Sequence, residues 1–134
     1  MGTTYHITYF DERKRDFKQS VDSLLQLVNQ SINNYDPESE VSKFNHSATG
    51  FAFQLPYLFP PLQKAMEVST ASHGAFDPTV MPLVYAWGFG KMKDKPIPTQ
   101  QKIDSLLQLV GADKIQFNQD SVWKTDPQIG RAHV

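Results

Sequence analysis

The chain has 134 residues, with 13 Lys and Arg against 14 Asp and Glu and a formal net charge of -1. This excludes the basic excess that a phosphate-binding nucleic-acid partner demands. Hydrophobic residues at 40% and charged residues at 20% are ordinary for a globular domain and unlike disordered or coiled-coil chains. With no cysteine, disulfides, thiolate metal sites and thiol catalysis are excluded too, and no apolar run approaches the roughly 20 residues of a membrane helix.

Residues 3–10, dense in β-branched and aromatic side chains, predict a strand. Asp16 is the expected N-cap of a helix carrying Phe17, Val21, Leu24, Leu25 and Val28 at helical spacing, with Ile32 one turn further on. It should stop near Asn33 and Asn34, because Asp36 precedes Pro37 and is pushed out of the helical region. Residues 38–44 predict one or two helical turns, and residues 45–50 a polar loop.

Pro56, Pro60 and Pro61 should delay the next helix to residues 61–72, with Leu62, Ala65, Met66 and Ser69 on its packed face and Gly74 as its stop. A short helix is expected over 78–84, followed by a loop over 88–98. Thr99 caps a further helix with Ile103, Leu106, Leu107 and Val110 inward and Gly111 at its C′ position. Residues 114–117 and 121–124 flank Asn118-Gln119-Asp120 as a β-hairpin. The expected fold class is α+β, with short strands at both ends packing on amphipathic helices. So few strands seldom close a core alone, and the pattern predicts an incomplete domain that folds poorly by itself.

Three segments could carry chemistry. Residues 72–90 read Ser-His-Gly-Ala-Phe-Asp-Pro-Thr-Val-Met-Pro-Leu-Val-Tyr-Ala-Trp-Gly-Phe-Gly. The plain reading is a helix start with Asp77 as N-cap and Pro78 at the first position, and with Trp87 and Phe89 packed in a core. The functional reading is a loop offering backbone amides, an apolar wall and one carboxylate to a flat molecule. Residues 35–45 read Tyr-Asp-Pro-Glu-Ser-Glu-Val-Ser-Lys-Phe-Asn, where Tyr35 could stack on an aromatic ligand and Ser39, Glu40 and Ser42 offer capping and hydrogen bonds. The opening Met-Gly-Thr-Thr-Tyr has a glycine where a ligand or strand could approach. His6, His46 and His73 have no second ligand at metal spacing, which argues against zinc, and no nucleophile-elbow, Walker or dinucleotide glycine pattern occurs.

In this order the three segments resemble the FAD:protein FMN transferase family, the flavin transferases formerly called thiamine-biosynthesis lipoproteins. The resemblance runs from Met1 to about Asp126. It implies an enzyme that binds FAD, splits its pyrophosphate with Mg²⁺, esterifies FMN to a threonine of an acceptor protein and releases AMP. It also implies FAD contacts at Met1, Tyr35, Ala75, Phe76 and Asp77. The resemblance implies that a segment of the Asp-x-x-x-x-x-Lys-Gly type, further FAD contacts, Mg²⁺ ligands and a histidine implicated in transfer come later. Met81 stands where the family commonly has glycine.

On this reading residues 1–128 are the front part of a flavin transferase domain and residues 129–134 a non-native tail. The tail Ile-Gly-Arg-Ala-His-Val is what ATC-GGA-AGA-GCA-CAC-GTC, a run found in sequencing-library adapters, would encode. The alternatives are an FAD-binding module without transfer activity and a plain structural domain. The resemblance further implies an exported lipoprotein, periplasmic or on the outer face of the inner membrane, whose acceptor belongs to a flavin-dependent electron-transfer system. Membrane contact would come only through a lipid anchor upstream. Sequencing the parent gene checks these expectations. They predict an export signal ahead of Met1 and no adapter-like codons after Gln128; a start codon at Met1, or genuine coding sequence continuing through Ile129, contradicts them.

Overall fold

A computed structural model describes residues 4–89, 96–127 and 129. The first helix forms where apolar spacing puts it, α1 over Lys18–Ile32, with Asn33 N–H closing on Asn29 O before the turn into Pro37. The boundary residue is Phe17 rather than Asp16, although Asp16 Oδ1 accepts the Lys18 N–H at 2.8 Å as a capping carboxylate does. Leu24 and Ile32 remain largely exposed, so α1 carries more apolar surface than the described chain covers.

The expected strand over residues 3–10 does not form among the described residues 4–10. A strand exists only through a partner ladder, and this segment has none. Its tyrosines bond to α1 and the chain before it instead. The Tyr5 hydroxyl donates to Asp22 Oδ1, while the Tyr9 hydroxyl donates to Arg15 O and accepts the Phe17 N–H.

α2 follows over Glu40–His46, with Ser39 as its N-cap accepting the Ser42 N–H at 3.2 Å. Its first residue is buried. Glu40 Oε2 accepts the Ser31 hydroxyl at 2.5 Å, and Oε1 accepts the backbone N–H of Gln54 at 2.6 Å and of Leu55 at 3.0 Å. One carboxylate therefore joins α1, α2 and the chain leaving β1, the strand Gly50–Ala52. That strand replaces the end of the expected polar loop. Ser47 Oγ, by accepting the Thr49 and Gly50 N–H groups, turns the chain onto the hairpin.

The hairpin itself is as expected, β2 over Ile115–Phe117 and β3 over Ser121–Lys124. The sheet order is β1-β3-β2, antiparallel throughout, with Phe51 and Phe117 both opposite Val122. The chains are so close at Gly50 that a Cβ there would lie 2.6 Å from Val122 O, so this strand position needs glycine. The α+β class stands, with its sheet drawn from the middle and the end of the chain.

α3 spans Phe59–Ala71, and Pro60 and Pro61 lie in its first turn, where no backbone N–H is needed. They start the helix rather than delay it. α4 spans Met81–Ala86, beginning at Met81 and not at Pro78. α5 spans Gln100–Leu107 with Thr99 as the expected N-cap. Leu106 is buried, but Leu107 is half exposed, contrary to the inward expectation. Gly111, at φ 152°, opens a short 3-10 turn over Ala112–Lys114 instead of ending α5.

The core is Phe44, Ile115, Val122 and Ile129, with Phe51, Phe53, Leu62 and Phe117 packed on it. Phe59 presents its ring edge-on to Phe53 and Phe117. α2 thus lies against the sheet, and the Glu40 carboxylate sets its angle.

Removing that carboxylate orphans three donors. Glu40→Ala is expected to lower stability in urea unfolding by about 3 kcal/mol, and Glu40→Gln, which keeps one acceptor oxygen, by about 1 kcal/mol. Equal losses for the two variants would show that side-chain volume, not hydrogen bonding, is what Glu40 supplies.

Candidate functional site

The segment after α3 is organised by its own backbone. His73 N–H bonds to Thr70 O at 3.1 Å and Gly74 N–H to Ser69 O at 2.9 Å, the paired closure of a Schellman motif. The left-handed C′ residue is therefore His73, at φ 51°, and Gly74, at φ 81°, comes one position later. Histidine is among the few side chains that tolerate this region. α4 ends the same way, with Gly88 at φ 80° and Phe89 N–H on Val84 O.

Asp77 does not cap α4. Its Oδ1 accepts the Thr79 N–H at 2.7 Å and the Thr79 hydroxyl at 2.6 Å, while Oδ2 accepts the Ala112 N–H at 3.2 Å. Thr79 Oγ1 accepts in turn the Gly111 N–H at 2.7 Å. Residues 77–79 and 111–112 are thus tied by two side chains, and the link depends on the unusual φ of Gly111. An added Cβ there would lie 2.7 Å from Asp113 Oδ1.

The two longer motif segments meet at one cavity of about 190 Å³. Asn34, Val41, Phe44 and Asn45 form one wall, and Pro78, Thr79, Met81, Pro82 and Tyr85 the other; Ile115, Lys124 and Ile129 close the sheet side. Met81 is part of this lining, where glycine would leave more room. Tyr85 is buried, and burial raises its phenol above the ordinary value, with the Tyr35 phenol nearby adding to the rise.

Of the residues expected from the sequence, Tyr35 is 69% and Phe76 45% exposed, Ala75 is exposed and Asp77 half-buried. They adjoin the cavity-lining residues in sequence without lining the cavity themselves, and Met1 lies outside the described residues. Trp87 and Phe89 are 49% and 67% exposed, so they are not the core packing of the plain reading. Alternation along β3 places Lys124 on the inward side with Val122. A lysine on the apolar side of a strand is the one signal that could have drawn attention to it in the sequence.

The chemistry of the donor set does not suit Mg²⁺. Among the described residues no three His, Asp or Glu side chains converge, and the carboxylates of Glu40 and Asp77 already accept protein hydrogen bonds. The described residues around the cavity therefore form apolar walls with a few hydrogen-bonding groups, and no cluster of three metal-ligating side chains occurs among them.

Comparison with known proteins identifies the family and the fold. The model of the ApbE family matches residues 1–130. An FAD:protein FMN transferase of Vibrio cholerae is 27% identical over 135 residues, covering 96% of this chain and 40% of that protein. One of Haemophilus influenzae is 32% identical over 126 residues, covering 88% and 36%. Among solved structures, the flavin transferase ApbE from Vibrio cholerae superposes with a TM-score of 0.73 at 28% identity, over 90% of this chain and 39% of that one. The apo flavinyl transferase ApbE of Pseudomonas stutzeri gives 0.70 at 26%, over 83% and 38%. The chain spans about 40% of the length of the relatives it matches.

Because Asp77 and Thr79 form one network, their losses should not add. Asp77→Ala is expected to cost about 2–4 kcal/mol and Thr79→Val about 1–2 kcal/mol in chemical unfolding, with the double variant falling short of the sum by at least about 0.5 kcal/mol. Additive losses would mean that the two side chains act independently.

Proposed function

Because the chain belongs to the ApbE family, we propose that it is the nucleotide-binding front part of an FAD:protein FMN transferase. The observation that carries this reading is the convergence of residues 34–45 and 78–85, from the two motif segments, on a single cavity. Exposed Tyr35 and Phe76 lie next to that cavity in sequence and suit stacking on a flat heteroaromatic ring. The N–H groups of residues 73–76 are bonded within their own turn, so this segment does not present free amides as expected from the sequence; Ala75, Met1 and Asp77 complete the contacts that the family resemblance implies. The reaction proposed for the whole protein moves FMN. The hydroxyl oxygen of an acceptor threonine attacks the phosphorus of the FMN half of FAD, the bridging P–O bond breaks, AMP leaves and the hydroxyl proton passes to a base.

Pyrophosphate cleavage needs its developing charge neutralised, and Mg²⁺ ligands are assigned in this proposal to family segments beyond the matched 40%. The acceptor would be a threonine-bearing protein of a flavin-dependent electron-transfer system. The extracytoplasmic location and lipid anchor rest on the family resemblance alone. The second reading is an FAD-binding module without transfer activity.

Flavin-fluorescence titration of residues 1–134 tests the binding. Tyr35→Ala and Phe76→Ala are each expected to weaken FAD by roughly 1–3 kcal/mol with an unchanged circular dichroism spectrum, since both side chains are well exposed. Incubating the same chain with FAD, Mg²⁺ and a threonine-bearing peptide should leave the peptide unmodified in mass spectrometry. Covalent flavin on the peptide would show that these residues alone transfer FMN. Unchanged affinity in both variants would remove the nucleotide from this turn.

A further inference from the structure

We infer that Lys124 is a positioning residue for the nucleotide site: its ammonium closes the C-terminus of α2 and so fixes one wall of the cavity. The inference rests on reading that cavity as the flavin-nucleotide site. Lys124 is 7% exposed, two residues along β3 from the fully buried Val122 and so on the same inward face. Its Nζ donates to Asn45 O at 3.0 Å and Ser47 O at 2.7 Å and stands 5.0 Å from the Phe44 ring centroid.

A buried ammonium is costly unless acceptors and negative potential surround it. Here two carbonyls at the end of α2, the negative end of its dipole, and the face of an aromatic ring provide both. The backbone reinforces the side chain, since Lys124 N–H donates to Thr49 O at 2.7 Å. One residue of the hairpin thus holds residues 45–49, which lie nearly 80 positions earlier in the chain.

This hold bears on ligand binding through Phe44 and Asn45, which line the cavity together with Lys124. Among the described lining residues Lys124 is the only charged one. The carbonyls it binds belong to the segment that turns from α2 into β1, so their release would let the α2 wall move away from Thr79 and Tyr85 opposite. A lysine that only stabilised the fold would change the folded fraction. A positioning lysine changes affinity at constant folded fraction and is replaceable by another long cation.

The test uses the full chain with Lys124→Met, Lys124→Gln and Lys124→Arg. FAD titrations are run at a temperature where circular dichroism shows each protein folded, beside amide hydrogen exchange of residues 44–47. Lys124→Met should raise the FAD dissociation constant roughly ten-fold or more and speed exchange at 44–47 by about ten-fold, leaving α5 unchanged. Lys124→Gln, which keeps a donor without the charge, should fall between, and it decides the matter should the Met variant not fold. Lys124→Arg should return both readouts to within about three-fold of the parent. Unchanged affinity in the Met and Gln variants overturns the inference. An Arg variant with restored exchange but unrestored affinity also overturns it, marking Lys124 as a direct ligand. If the parent chain binds no FAD, the proposed function fails instead, and the clamp is then judged on exchange alone, with unchanged rates at 44–47 refuting it.

Discussion

A carboxylate removed from water must be met by hydrogen-bond donors, and the position of Glu40 makes this the constraint on which the rest of the molecule depends. Ser31 from α1 and the backbone of Gln54 and Leu55 converge on it. α2 therefore cannot rotate or slide without stranding charge. With α2 in place, Phe44 reaches Ile115, Val122 and Ile129, and β1 is led onto β3. The small sheet and its core follow from one buried acid.

The same device recurs across the cavity. Asp77 and Thr79 hold the start of the α4 wall to the turn that opens the hairpin. The two walls are thus set by interlocks that use polar side chains, and Tyr35 and Phe76 lie exposed outside them. In the motif segments Glu40 and Asp77 are tied into the fold and Phe44 and Tyr85 line the cavity, whereas Tyr35, Phe76, Trp87 and Phe89 are exposed. Both motif carboxylates, Glu40 and Asp77, are engaged by protein donors.

Local rules made a good part of this legible. Thr99 with its apolar spacing marked α5, Asn118-Gln119-Asp120 marked the hairpin, and Pro37 marked the end of α1. What escaped was set by partners far along the chain. Residues 4–10 have every strand propensity and no strand to pair with. Gly50 is a strand residue only because Trp123 approaches it closely. Pro60 and Pro61 could equally break or begin a helix, and the bend at Leu58 decides it. His73 took the left-handed position one residue before the glycine that suggested it. The resemblance pointed to Tyr35 and residues 75–77, which adjoin the cavity lining in sequence without forming it, whereas Tyr85, Thr79 and Lys124 became visible only when the walls were brought together.

The central claim is that Glu40 and Asp77 hold two walls of the proposed nucleotide cavity and keep their protein hydrogen bonds while it is occupied. A crystal structure of the chain with FAD tests it most directly. The account predicts the nucleotide against residues 34–45 and 75–85, with Tyr35 or Phe76 on its ring, Glu40 still bonded to Ser31 and the 54–55 backbone, and Asp77 still bonded to Thr79 and Ala112. A nucleotide bound elsewhere, or an Asp77 carboxylate swung away from Thr79 to meet it, would contradict it.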